Sequence, residues 1–256
     1  LRSHRSETIY PPSSISRRIT FLAQLQVSIY MKLYKFRSLT NCKEFERARE
    51  IFETGCFYCS QYSELNDPME GVFSITAIED KSIRWIIDSI YSAKNNYKIC
   101  SFSGGEAFEN PTLWGYYAGG FKGMSIEIEV EKMIMKKIKY IDNVLNVDVN
   151  ELGDMIIKNI LTTKLTPWQQ EAEYRYLTKS DRHDHKIGKI TAIYFGNPYG
   201  NLVNTNTIQK EKKNLVNYFR FRNELIESCR CKGIKCFSVK VSNCKVTVDQ
   251  KLSFLS

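Results

Sequence analysis

Between residues 122 and 130 the chain alternates cleanly: Met124, Ile126, Ile128 and Val130 face one way, and Ser125, Glu127 and Glu129 face the other. Successive side chains of an extended strand point to opposite faces, so this two-residue period specifies a β-strand with one apolar and one polar face. Strand backbone groups need partners, so the segment belongs in a sheet. Around it, strand and helix patterns interleave without a regular strand–helix–strand rhythm. That combination predicts an α+β fold, a mixed and mainly antiparallel sheet flanked by helices. A chain of 256 residues is long enough to bury a full core and suits a single domain.

Local signals place the other elements. Met31 opens a strand-like segment, Lys32 to Phe36. Residues 41–54 read as a helix: Asn41 and Glu44 form a capping pattern, Phe45, Ala48, Ile51 and Phe52 make one apolar face, and Gly55 ends it. A strand over 56–60 and a turn at Asn66-Asp67-Pro68 follow. A helix is expected over 79–93, with Ile83, Ile86, Ile87 and Ile90 on one face, then a strand from Tyr97 to Ser103. Asn110-Pro111 starts a short helix carrying Trp114, Tyr116 and Tyr117. Further helices are expected over 150–163 and 205–226, the second one basic, and further strands over 171–177, 190–195, 234–241 and 244–249.

Residues 1–30 differ from the rest. They are rich in Ser and Arg, contain Pro11-Pro12, and read as an unstructured extension or the product of a start codon called too early, with a transit-type peptide as the other reading, ahead of a domain at 31–256. They carry +3 of the formal net charge of +9, leaving +6 for the domain. That surplus favours an anionic ligand such as a dinucleotide, or weak nucleic-acid contact, or describes a solvated basic surface. The eight cysteines fit buried free thiols in a reducing cytoplasm. Cys56-x-x-Cys59 and Cys229-x-Cys231 with Cys236 make a poor zinc pattern, and the only histidines are His4, His183 and His185, so no metal is expected. No apolar run approaches the roughly 20 residues that cross a bilayer, so a cytoplasmic location without membrane contact is expected.

Five groups of residues carry possible chemistry. On a strand, Glu171, Glu173 and Arg175 share a face, and two carboxylates there need a cation or a ligand hydroxyl between them, a part Arg175 can play. Asn66, Asp67 and Glu70 sit in a turn-forming loop, and Ser101 and Ser103 point the same way at a strand end. Tyr34-Lys35-Phe36-Arg37 delivers a guanidinium, the natural clamp for phosphate or carboxylate. Trp114, Tyr116 and Tyr117 beside Gly119-Gly120 offer either core packing or a ring surface for a base or nicotinamide. Each group also has a plainer reading, as a salt-bridged strand, a turn or packed core.

Taken in order, Tyr34-Lys-Phe-Arg37, Asn66-Asp67-Pro68-x-Glu70, Cys100-Ser-Phe-Ser103, Asn110-x-x-Leu-Trp114-x-x-Tyr117, Lys122-Gly123 and Trp168-x-x-Glu171-x-Glu173-x-Arg175 resemble the bacterial family catalogued as domain of unknown function 2971. The resemblance spans roughly Met31 to Pro198, with Gln169-Gln170 standing where an aromatic residue is common. The family label supplies no reaction. Its bacterial spread is compatible with phage defence or toxin–antitoxin pairs, which no residue here shows. The order of Arg37, Ser101/Ser103 and Glu171/Glu173 is also similar in layout to ADP-ribosyltransferases of the arginine–serine–glutamate type. That likeness implies NAD as co-substrate, with Glu173, Glu171, Arg37 and Ser103 in catalytic roles. Tyr34, Arg37, Ser101, Asn66, Asp67, Trp114, Tyr117 and Arg175 would then line the dinucleotide site. Two alternatives stay open: a metal-dependent nuclease using Asp67, Glu70, Glu171, Glu173 and Lys164, and a binding module whose basic helix, with Lys210, Lys212, Lys213, Arg220 and Arg222, meets nucleic acid or a protein.

Overall fold

A computed structural model of the chain describes residues 29–65, 67, 69–75, 82–148, 153–198 and 212–252. Nine strands among them build one sheet: β1 (Tyr30–Ser38), β2 (Ser60–Gln61), β3 (Lys98–Ser103), β4 (Gly123–Glu131), β5 (Met135–Lys137), β6 (Glu173–Thr178), β7 (Lys189–Phe195), β8 (Lys235–Ser242) and β9 (Lys245–Lys251). Their spatial order is β9-β8-β7-β4-β1-β3-β6-β5, with β2 pairing the far end of β3. Only β7 and β8 run parallel, so the sheet is mixed and mainly antiparallel, as the sequence predicts. Parallel neighbours need a long crossover, and helix α6 below supplies it.

The described helices are α1 (Cys42–Thr54), α2 (Ser82–Asn95), α3 (Gly105–Phe108), α4 (Pro111–Tyr117), α5 (Asp154–Leu161) and α6 (Lys212–Cys231). Helix α1 starts as expected, the Asn41 side chain accepting from the Glu44 amide at 3.0 Å, and ends at Gly55 with φ 71. Such an N-cap is worth about 1 kcal/mol. Asn110 caps α4 in the same way, with Pro111 in the first turn. The expected strand over 56–60 divides at Cys59: Phe57–Tyr58 pairs with Asp184–His185, whereas Ser60–Gln61 is β2.

The two faces of the sheet are covered differently. On one, Leu33, Cys100, Phe102, Met124, Ile126 and Ile128 form a single core with Phe45, Ala48, Ile51 and Phe52 of α1 and Tyr218, Phe221 and Leu225 of α6. Phe45 stacks on Phe221 with ring centroids 4.6 Å apart. The other face carries two separate apolar clusters. One gathers Phe36, Phe108, Leu113 and Trp114 beneath α3 and α4, and the other gathers Ile90, Ile99, Ile157 and Ile160 beneath α2 and α5. Polar residues of β3 and β6 occupy the space between them.

The polar side of β4 is not a solvated one. Ser125 and Glu127 are buried, and Glu129 is exposed. Glu127 accepts from Tyr34 Oη at 3.2 Å, Tyr194 Oη at 2.9 Å and Thr191 Oγ1 at 2.7 Å, and pairs with Lys32 at 3.0 Å. Burial works to raise its pKa, but these bonds outweigh it and hold the carboxylate ionised. At the start of β4, a Cβ on Gly123 would lie 2.3 Å from the Arg37 carbonyl oxygen, so only glycine lets the end of β1 lie this close.

Candidate functional site

Strand β1 pairs with β4 along its whole length, from Tyr30 with Glu131 to Ser38 with Gly123. On its other side it meets β3 at one register pair, Tyr34 with Ser103. Farther along that edge of β3, Ile99 and Lys98 pair with β2. Among the described residues, Cys100–Phe102 thus has no strand partner on that side, and the sheet opens there. Lys35 spans the opening, its Nζ donating to the Ser101 carbonyl at 2.7 Å.

A cavity of about 300 Å³ lies at this opening, at the small end of the range of ligand sites. Strand β1 supplies Tyr34, Lys35 and Arg37 to its lining, β3 supplies Ser101 and Ser103, and β6 supplies Glu173 and Arg175. Tyr117, Lys164 and Glu171 close one side, and Glu64, Asp67 and Glu70 come from the loop after β2. The register sets Glu173 opposite Ser103 and Arg175 opposite Ser101, so the four side chains share a face.

The cations of β1 are unlike those of the opposite wall. Arg37 Nε is buried with no hydrogen-bond partner, and no acid pairs with this guanidinium among the described residues. Burial lowers the pKa of both Arg37 and Lys35, so each charge is held against a desolvation cost that an anion would relieve. Arg175 and Lys164 are instead saturated with acids. Arg175 gives Nε to Glu173 Oε1 at 2.7 Å and Nη1 to the Leu161 carbonyl at 2.6 Å; its Nη2 lies 3.2 Å from Glu173 Oε2 and 2.6 Å from Glu70 Oε1. Lys164 Nζ lies 2.7 Å from Glu171 Oε2, 3.1 Å from Glu173 Oε2 and 3.8 Å from Glu70 Oε2. Tyr117 Oη donates to Glu171 Oε1.

The carboxylates are pushed apart in proton affinity. Burial works to raise the pKa of Glu173, but Arg175 and Lys164 outweigh it and hold it down to about 2. For Glu70, burial wins over the same two cations and its pKa rises. Burial and the Glu171 bond raise the phenol pKa of Tyr117, which keeps its proton. A split of this kind within one cavity is a mark of acid–base sites.

Three expectations need correction. Glu171 is not on the strand: residues Thr166–Glu171 form a 3-10 turn, and Ala172 at φ 43 reverses the chain before β6 begins. That left-handed residue, sterically costly without glycine, turns the Glu171 carboxylate back toward Glu173. The cation between Glu171 and Glu173 is Lys164 rather than Arg175, which joins Glu173 to Glu70. Trp114 is fully buried, donates Nε1 to the Phe108 carbonyl at 2.8 Å and stacks on Phe121, so it offers no ring to a ligand. Asn66 and Lys210 lie outside the described residues, as do the side chains of Lys212 and Lys213; Asp67 lines the cavity, and its carboxylate accepts from the Met69 amide at 2.9 Å.

Lys35, Ser60 and Glu64 also line the cavity without having been expected there. Lys35 shares strand parity with Arg37, and that parity is the one signal the sequence offers for it. Among the described residues, no group of three or more His, Cys, Asp or Glu side chains is placed to hold a metal ion, and no helix is long and apolar enough to cross a membrane. No protein-family model, curated protein or solved structure matches the chain.

Proposed function

We propose that the cavity binds NAD and that the chain transfers ADP-ribose from it, in the manner of an ADP-ribosyltransferase. One observation carries this reading. The strands bearing Arg37, Ser101/Ser103 and Glu173 are adjacent, in that order, at the one place where β1 and β3 part. The charges suit such a ligand. A guanidinium with no acid paired to it among the described residues and an ammonium stand on β1, ready for a phosphate. On the opposite wall the carboxylates of Glu171 and Glu173 face the cavity beside Lys164 and Arg175, with Glu70 behind them, so acidic oxygens are at hand for a pyridinium.

In this reading Arg37 and Lys35 hold phosphate, and Ser103 holds the nicotinamide ribose. Glu173, kept ionised inside the cavity, accepts a hydrogen bond from the ribose 2′-hydroxyl and stabilises the cationic transition state. The bond from ribose C1′ to the nicotinamide nitrogen breaks, its electron pair stays with the ring, and nicotinamide leaves neutral. The acceptor forms the new bond to C1′, and its proton passes to Glu171, which exchanges the Tyr117 contact for it. Tyr117, half-exposed at the cavity wall, can pack on a ligand ring.

The nuclease reading is weaker, because the Lys164 ammonium already bridges Glu171 and Glu173 where a divalent ion would sit. One observation favours a purely structural network: every carboxylate oxygen of Glu171 and Glu173 already has a partner. Calorimetric titration separates the two. NAD is expected to bind more tightly than NADH, whose ring carries no charge, and Arg37→Met is expected to weaken NAD about 10–100-fold, the worth of hydrogen bonds to a charged group. Absence of heat with either dinucleotide in the folded protein leaves the structural network as the better account.

A further inference from the structure

Lys94, in the last turn of α2, takes no part in the chemistry above, yet it is fully buried. A buried ammonium is costly unless it is compensated. Its compensation is an aromatic cage and one carbonyl. Nζ lies 3.9 Å from the ring centroid of Tyr62, 4.5 Å from Tyr91 and 5.3 Å from Phe73, and donates to the Gly71 carbonyl at 2.8 Å. Burial still pushes its pKa down to about 8, with Glu70 working the other way. An apolar side chain would fill this space without that penalty, so the charge needs a purpose.

Its contacts converge on the short turn that presents Glu70. Tyr62 Oη donates to the Glu70 carbonyl at 2.7 Å, and the Glu70 amide donates to the Asp67 carbonyl at 3.0 Å. Gly71 takes φ 57, and a Cβ there would meet Tyr62 Cε2 at 3.1 Å and Lys94 Cε at 3.4 Å. The turn is therefore gripped by Tyr62 and Lys94 together. Glu70 in turn lies 2.6 Å from Arg175 Nη2, and Arg175 holds both oxygens of Glu173.

We infer that Lys94 and Tyr62 form a latch on the turn at residues 69–71, and that this latch orients Glu173 through Glu70 and Arg175. They are positioning residues. The catalytic half of the inference rests on the reading of Glu173 as the reacting carboxylate, and the mechanical half does not. The test uses the full chain, labelled with nitrogen-15, and measures hydrogen exchange at the Arg175 Nε–H alongside nicotinamide release. Lys94→Met is expected to speed that exchange about 10-fold, as loss of a local tether does, and to lower kcat for nicotinamide release with KM for NAD unchanged. Tyr62→Phe, which removes a single oxygen and keeps the cage, is expected to shift both readouts the same way by less. Lys94→Arg, which keeps the charge, is expected to restore part of each.

Unchanged Arg175 exchange in Lys94→Met overturns the latch; if that variant does not fold, unchanged exchange in Tyr62→Phe does so. A rise in KM at constant kcat overturns the positioning of Glu173. Should the wild-type protein release no nicotinamide, the transferase reading fails, and the exchange measurement still decides the latch.

Discussion

Arg175→Met is expected to cost the fold about 3–5 kcal/mol, the range seen when one partner of a buried ion pair is removed. Arg175 is 1% exposed and is the principal partner of two carboxylates, Glu70 and Glu173, each 4% exposed. Its loss strands both, and also frees the Leu161 carbonyl. Lys164 remains 3.1 Å from Glu173 Oε2 and 3.8 Å from Glu70 Oε2, so it shelters the first acid better than the second. The pH dependence follows from linkage. In the wild type the pKa of Glu173 is depressed from its ordinary 4.5 to about 2, so its contribution is present above 4.5 and is lost as pH falls through 2. In the variant the stranded acids favour their protons, so the stability gap narrows on acidification. Urea unfolding at about pH 7 and about pH 4 measures this, and a gap under roughly 1 kcal/mol at both means that the network is effectively solvated.

Glu173→Gln is expected to lower kcat for nicotinamide release about 100–1000-fold, the range for removing one group that stabilises a transition-state charge. The amide keeps the shape and can still accept from the ribose hydroxyl, but it carries no charge. KM for NAD should change less than about threefold, because ground-state binding is assigned mainly to Arg37 and Lys35. The fold should survive better than in Arg175→Met, since Arg175 keeps Glu70 and Lys164 keeps Glu171. A variant that loses affinity for NAD but turns over at the wild-type rate would move Glu173 from chemistry to binding.

Sequence reading succeeded where the controlling physics is local. The alternation of Met124, Ile126, Ile128 and Val130 placed β4, and Asn41, Gly55 and Asn110-Pro111 marked real helix ends. Ser101, Ser103, Glu173 and Arg175 share one wall because strand parity and register put them there, whereas Arg37, of opposite parity on β1, was legible only from the order of the motifs and reaches the cavity through the opening. The misses arise from non-local packing. Alternation carried through residue 171 hides the 3-10 turn and the left-handed Ala172, which a short polar stretch does not announce. Glu127 is legible as one of the polar side chains of β4, but its burial comes from the tyrosines of β1 and β7 that close over it. Trp114 reads as a ligand platform until Phe36, Phe108 and Phe121 surround it. Lys94, in the last turn of an amphipathic helix, looks like an ordinary solvated lysine, because its cage comes from three separate elements.

The opening between β1 and β3 belongs to the same class. Its cause is a register in which β3 divides one edge between β1 and β2, and no stretch of a few residues encodes that division. The site depends on it, because the opening is what exposes Lys35 and Arg37 to the wall that carries Glu173.

The most direct measurement is the release of free nicotinamide from NAD by the purified chain, with folded Glu173→Gln as the blank and protein and nucleic acid supplied as acceptors. The expected result is steady release by the wild type and near-background release by the variant. No release by well-folded wild-type protein under any of these conditions, or equal release by both proteins, would contradict the assignment of the cavity to NAD chemistry centred on Glu173.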